Sequence, residues 1–259
     1  MGINFLRGEI LNLKKRNHYI DMMRGISLIS MILYHLLYDL VYIFNVPINF
    51  YNPNIVKHWQ LSICISFILI SGLSLNFYKG HKKQGLIIFG ISLIISFVTF
   101  IFIPEETVKF GILSLIGVSM ILVGFLNKFL NRINPYAGFF IFIFLFLLFF
   151  SLPNGSLGLE HIETIDVPNS LYSTNYLYPI GLPHKTFSSA DYFPIFPWFF
   201  LFLSGYYLGI ILKDKNLLKP MGKNNLISAF GRNSLFVYII HQPILYAILF
   251  LIIEIILKK

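Results

Sequence analysis

Long apolar runs separated by short polar stretches dominate this chain and set its architecture. Seven runs, at roughly 20–44, 60–78, 85–103, 109–126, 136–152, 193–212 and 233–255, each approach the ~17–25 residues with which an α-helix crosses hydrocarbon. In lipid every backbone polar group must be satisfied within its own segment, which makes such runs helices. The pattern predicts an all-α, polytopic transmembrane helical bundle of about seven spans. Breaking the last run at His241-Gln242-Pro243 would give an eighth element, but its halves would be too short to span comfortably. The run Phe139–Phe150 carries no polar side chain, so lipid-facing packing is its simplest role.

The polar stretches supply orientation. Fifteen Lys and Arg residues, among them Arg16, Arg24, Lys82, Lys83, Lys213 and Arg232, fall on the side shared with the N-terminus. Five fall on the other: Lys57, Lys109, Lys185, Lys258 and Lys259. The excess places the N-terminus in the cytoplasm and the C-terminus outside. Residues 1–18 read as an interfacial segment with basic anchors, and 19–257 as one transmembrane domain. A loop at about 153–192 is expected on the extracytoplasmic side, with Glu160, Glu163, Asp166 and Asp191 against a single Lys185. A loop of that length is either functional, as an acceptor site or lid, or a solvated connector.

Composition agrees: 56% of residues are hydrophobic and 12% charged, which a soluble domain does not carry. The net charge of +9 is distributed as orientation signals are, which argues against nucleic acid as a partner. One cysteine, Cys64, allows no intrachain disulfide and no redox or metal motif. The first run is long, contains Arg24, His35 and Asp39, and lacks a small-residue cleavage pattern, so a secretory signal is not expected. Walker loops, dinucleotide-binding glycine turns, His-rich clusters and nucleophile elbows have no match in the sequence.

Candidate chemistry lies in the polar residues at membrane depth, which are costly and usually kept for a task. Arg24 and His35 are 11 residues apart, about three turns, so they share one helical face roughly 16 Å apart along the axis. Asp39 follows His35 at i+4, where the side chains can meet. It could fix the tautomer of His35, or instead sit in the headgroup region. Measured from the starts of their helices, His35 lies roughly 20 Å and His241 about 12 Å in, so the first and last spans bring imidazoles to comparable depth. Pro243 removes a backbone donor and is expected to kink the last helix. That kink opens a cavity, or simply packs with His241 bonded to a carbonyl. A neutral imidazole accepts protons near neutral pH, while Arg24 suits a phosphate or carboxylate, or pairs with Asp21 as an anchor. Asp191-Tyr-Phe-Pro-Ile-Phe-Pro-Trp198 reads as a shaped rim where the sixth span begins.

Four stretches carry a family resemblance. They are Ile20-Asp-x-x-Arg-Gly-Ile-Ser-x-x-x-Met-x-x-Tyr-His-x-x-Tyr-Asp39, Phe110-Gly-Ile-Leu-x-x-Ile-Gly-Val-Ser119, Asp191-Tyr-Phe-Pro-x-x-Pro-Trp198 and Gly231-Arg-Asn-Ser-Leu-x-x-Tyr-x-x-His-Gln-Pro243. Together they resemble the bacterial branch of the heparan-alpha-glucosaminide N-acetyltransferase catalytic-domain family over about residues 18–246. The first is also similar to the opening of the acyltransferase-3 family, where an arginine precedes a histidine at the same interval. The resemblance implies an integral membrane acyltransferase that uses cytoplasmic acetyl-CoA to acetylate an amine or hydroxyl of an extracytoplasmic glycan or cell-envelope sugar. In a bacterial cell its place is the cytoplasmic membrane, as a multi-pass protein in the lipid bilayer, and a homodimer is compatible with it.

Carried over residue by residue, the resemblance makes His35 the candidate base and matches His241 to the family's last motif; Asp39 joins them as a catalytic candidate on its i+4 spacing. Arg24, with Lys82, Lys83 and Arg232, would meet the acetyl-CoA donor; no metal is expected. Asp191 and Trp198 would line the acceptor side. Lysosomal members carry a long lumenal domain ahead of the matching region, so glycosaminoglycan recognition is not implied. They also show Asn where His35 stands and a lumenal catalytic His; His58 is either its counterpart here or an outer-interface residue, and it is placed with Asp191 and Trp198 on the acceptor side. Ser114 stands where relatives carry His or Gln. Two other classes stay open on the residues alone: a proton-coupled carrier of a small solute, and a non-catalytic membrane protein.

Overall fold

The computed structural model describes residues 17–77, 80–159 and 165–253. Most of the predicted interfacial segment at 1–18, and Glu160 and Glu163 of the long loop, lie outside the described residues. Among the described residues, seven helices are long and apolar enough to cross a membrane. The protein is therefore a polytopic helical bundle. Its helices are α1 (His18–Tyr38), extended by a π-helical turn at Asp39–Ile43, α2 (Pro53–Ser74), α3 (His81–Phe102), α4 (Ile112–Leu130), α5 (Pro135–Leu148), α6 (Ile195–Asp214), α7 (Leu226–Arg232) and α8 (Ser234–Phe250). A two-residue antiparallel hairpin, Ser156–Leu157 with Ile165–Asp166, interrupts the long loop.

Asparagine starts four of these helices. Asn17 Oδ1 accepts from the N–H of Tyr19 and Ile20, and Asn134 does the same for Tyr136 and Ala137 ahead of Pro135. Asn225 forms a reciprocal capping box with Ser228. A side-chain oxygen at the cap satisfies donors that the first turn leaves without intrahelical acceptors. The second span begins seven residues before the predicted position 60, at Pro53. Asn52 Oδ1 takes the Asn54 and Ile55 N–H groups, so a polar first turn precedes the apolar run. The last span is not split: α8 runs through Pro243 unbroken. The short α7 was not foreseen.

The described residues form two compact units. One comprises those up to Ile70 together with those from Asn216 onward; the other is Ser71–Lys215. In the first, α1 and α7 cross so closely that only glycine fits at two contacts. A Cβ at Gly25 would overlap the Ile227 carbonyl, and one at Gly231 would overlap the carbonyl of Asp21. Asn17 Nδ2 also donates to the carbonyls of Leu217 and Lys219, fastening the segment before α7 to the start of α1. In the second unit, α3 and α4 meet at Gly85 and Gly117, and Gly138 of α5 lies against the Tyr207 ring of α6. Small residues of this kind let membrane helices approach by van der Waals contact. Tyr207 is wholly buried and donates to the Leu130 carbonyl at 2.8 Å.

The all-apolar run of α5 has two faces. Phe140 and Phe144 are exposed, as lipid-facing side chains are, whereas Phe142 stacks on Tyr207 at 5.6 Å and Phe146 packs on Trp198 at 5.5 Å. Composition could not separate these faces because both are phenylalanine.

Candidate active site

The first unit brings together the first and last spans. The imidazoles of His35 on α1 and His241 on α8 have ring centroids 4.9 Å apart. His241 is 8% exposed, and its Nδ1 lies 2.6 Å from the Tyr238 carbonyl oxygen. A carbonyl can only accept, so Nδ1 carries the hydrogen and the lone pair of a neutral ring sits on Nε2. That Nε2 is buried without a hydrogen-bond partner among the described residues. Tyr238 flanks His241 with ring centroids 5.5 Å apart and stacks against Phe67 of α2. The backbone bond that one sequence reading offered as a packing contact is present, and it leaves the other nitrogen available.

One turn beyond His35, Asp39 is 0% exposed. Its two carboxylate oxygens accept from Gln242 Nε2 at 2.8 and 3.1 Å. Sequence spacing offered this carboxylate either to His35 or to the headgroup region; it is buried, and it faces the residue after His241. The π turn begins at Asp39, whose carbonyl accepts from the Phe44 N–H five residues on at 2.9 Å. The Asp39 N–H still donates to the His35 carbonyl, so Asp39 keeps its place one α-helical turn beyond His35, and the wider turn starts only after it. Two polar rungs therefore join α1 to α8, His35 with His241 and Asp39 with Gln242. Gln242 went unremarked in the sequence, although an amide beside a histidine at membrane depth is itself a signal.

Aromatic rings border the pair. Tyr34 meets His35 edge-on at 5.3 Å, and successive contacts Tyr34–Tyr38, Tyr38–Tyr42 and Tyr42–Tyr51 run at 6.4, 4.9 and 5.8 Å. They lead from His35 past the C-terminal end of the first span. Trp59 of α2 closes the wall, its indole N–H donating to Ser30 Oγ at 2.8 Å.

At the opposite end of α1, Arg24 Nη1 donates to the Gly231 carbonyl at 3.3 Å and lies 3.7 Å from Asp21 Oδ1. The anchoring pair with Asp21 is thus present, and the guanidinium also ties α1 to α7. Arg232 donates to Asn224 Oδ1 at 2.6 Å. The exposed His58 ring donates from Nδ1 to the Asn54 carbonyl within its own helix, at 2.6 Å.

The family model for the catalytic region of heparan-alpha-glucosaminide N-acetyltransferase matches residues 16–243, a span that holds both histidines, Asp39 and Gln242. The chain belongs to the heparan-alpha-glucosaminide N-acetyltransferase catalytic family. No curated protein and no solved structure matches it.

The remaining candidate residues lie in the second unit. Lys82 extends over the Phe125 ring at 3.7 Å, and Lys83 is exposed. Asp191 Oδ2 accepts from the Ile112 N–H at 3.0 Å, which makes it a helix cap for α4 supplied from the long loop. Trp198 is buried among Phe146, Phe150 and Phe193. Ser114 donates to Ser92 at 3.0 Å, both side chains buried where α3 meets α4. The long loop is held by its own bonds: Tyr172 donates to the Leu152 carbonyl and Tyr192 to that of Tyr178. Burial raises both phenols above their ordinary pKa, which keeps them protonated as donors. Among the described residues no group of His, Cys, Asp and Glu could hold a metal ion.

Proposed function

We propose that this membrane protein of an acetyltransferase family moves an acetyl group from cytoplasmic acetyl-CoA to a sugar of the cell envelope, with His35 and His241 as its reacting centre. The observation that carries the reading is the facing pair of imidazoles, one of which has a fixed tautomer and a buried Nε2 without a partner. The acceptor nitrogen or oxygen attacks the thioester carbonyl carbon, and its proton passes to His241 Nε2. The carbon–sulfur bond breaks, CoA leaves as thiolate, and that thiolate is protonated from the imidazolium. The Tyr238 carbonyl, accepting from Nδ1–H, stabilises the positive ring while it holds the proton. His35 stands across from His241 and orients the thioester.

Acetyl-CoA enters from the end of α1 that bears Arg24. Its phosphates are drawn by Arg232 and by the exposed Lys219 and Lys223 in the segment fastened to α1. Arg24 orders that end of the site through Asp21 and Gly231. The acceptor arrives from the opposite end, along the tyrosine series. Rings with an apolar face and a phenol at the edge suit a sugar, which is apolar on its faces and polar at its rim.

Acetyl transfer from labelled acetyl-CoA to D-glucosamine in proteoliposomes tests this reading. Transfer by the wild-type chain, lost in His241→Ala and in His35→Ala, is expected. No transfer by the wild type, or full transfer by the double variant, would refute it.

A further inference from the structure

Acyl transfer at the histidine pair leaves the Asp39–Gln242 rung without a task. Asp39 is wholly buried, and both its oxygens accept from the Gln242 amide nitrogen. Both bonds run from Nε2–H to the carboxyl oxygens, so Asp39 is the acceptor here and the amide nitrogen is the end of Gln242 that faces it. Asp39 therefore fixes which way round the amide stands. Gln242 must present its carbonyl oxygen to its other side, and this Oε1 is buried without a hydrogen-bond partner among the described residues. His241 Nε2, on the preceding residue, is in the same condition. Two neighbouring residues thus hold two buried acceptors that lack donors, and buried polar atoms left unmet carry a free-energy cost that a ligand can relieve.

Position assigns the ligand. Asp39 follows His35 on the side away from Arg24, so the Gln242 rung lies beyond the histidine pair as seen from the end where acetyl-CoA enters. A pantetheine arm reaching the pair from that end places its amides before the histidines. The group being acetylated approaches from beyond them. We infer that Gln242 is a specificity-determining residue for the acceptor, set in its acceptor-only orientation by Asp39. The inference rests on the acyl-transfer reading above. A neutral primary amine has two hydrogens: one leaves to His241 Nε2 as the nitrogen attacks the thioester carbon and CoA departs, and the other stays on the product amide, bonded to Gln242 Oε1. A hydroxyl has one hydrogen and leaves one of the two acceptors unmet, which is the kind of mismatch that polar sites reject strongly.

The test uses the full chain in nanodiscs with labelled acetyl-CoA, D-glucosamine and D-glucose, the second carrying a hydroxyl where the first has its amine. The wild type is expected to favour glucosamine at least tenfold in kcat/KM. Gln242→Leu should raise the glucosamine KM at least tenfold and collapse that preference, with the acetyl-CoA KM moving less than twofold. Asp39→Asn should do the same, because its amide can donate to Gln242 Oε1 and let the glutamine turn around. The double variant Asp39→Asn/Gln242→Glu should recover the preference: the new amide donates, and the new carboxylate is again acceptor-only. Thermal unfolding of each variant separates misfolding from lost recognition. An unchanged glucosamine KM in Gln242→Leu, an equal loss on acetyl-CoA, or no recovery in a folded double variant would overturn the inference while leaving acyl transfer standing. A wild type that acetylates neither sugar would overturn the acyl-transfer reading, and this inference with it.

Discussion

His241 donates its Nδ1 hydrogen to the Tyr238 carbonyl three residues earlier on the same helix, at 2.6 Å, while its ring faces that of His35 across to α1 at 4.9 Å. A histidine tethered this way cannot turn its ring over without breaking a short bond, so the same nitrogen always faces the site. General bases of this kind contribute about 10²–10⁴ in rate. Each single substitution, His35→Ala or His241→Ala, is expected to lower kcat for acetyl transfer by roughly 100-fold or more. If the two rings act as one unit, the double variant should be no slower than the worse single, since residues acting together are strongly non-additive. Single-turnover rates measured on all three variants decide the point, and multiplicative losses would mean two independent roles.

Close helix crossings make a second, purely structural prediction. At Gly25 and Gly231 an added methyl would overlap backbone carbonyls of the facing helix, and backbone cannot move aside as a flexible side chain can. Overpacking of this sort costs about 1–3 kcal/mol, so Gly25→Ala and Gly231→Ala should both lower the unfolding temperature in detergent. Gly90, on α3, is the internal control, because a Cβ there meets nothing within 4 Å among the described residues. Gly90→Ala should be neutral or stabilise by up to about 1 kcal/mol, since alanine has the higher helix propensity. Equal melting temperatures for all three variants would contradict the packing described for α1 and α7.

The seven spans were legible because hydrocarbon thickness leaves helices few choices of length, and apolar runs report it directly. The start of α2 was less so, since Asn52 and Pro53 begin the helix before hydropathy rises. The seven-residue α7 was invisible to the same signal: its start is set by the Asn225–Ser228 box, and its place by the glycine contacts with α1. For the candidate site, sequence supplied the depth of His35 and His241 but not their meeting, which depends on how two helices far apart in the chain are rotated about their axes. The i+4 spacing offered Asp39 to His35. That the carboxylate also meets the amide of Gln242 depends on α8, more than two hundred residues away in the sequence, and no periodicity within the first span reports it.

Asp191 separates a capping role from a recognition role. Its Oδ2 accepts from the Ile112 N–H at the start of α4, where a carboxylate also meets the positive end of the helix dipole. Asp191→Ala should cost about 0.5–2 kcal/mol, the usual loss of a cap. Asp191→Asn keeps an acceptor oxygen in place and should retain most of that stability. Recognition of a sugar by charge would instead make the two variants alike, with a raised acceptor KM in both. The expected outcome is a difference in unfolding temperature between them and an unchanged glucosamine KM for Asp191→Asn.

Arg24 poses the same question at the other end of the first helix. Its guanidinium links Asp21, one turn back, to the Gly231 carbonyl of α7, and both members of the ion pair are largely shielded from solvent. Removing one partner of a shielded pair leaves the other charge uncompensated, which costs about 3–5 kcal/mol when burial is deep. Arg24→Ala should therefore destabilise the protein markedly. Adding Asp21→Asn should recover part of the loss, because the group left behind is then neutral. A direct role in holding donor phosphate predicts something different: a raised acetyl-CoA KM whatever residue stands at 21. The structural tether predicts that unfolding temperature and acetyl-CoA KM improve together when Asp21→Asn is added to Arg24→Ala. Thermal unfolding and donor titrations on the single and double variants read both quantities, and a persistently raised acetyl-CoA KM in a protein of restored stability would move Arg24 from scaffold to donor site.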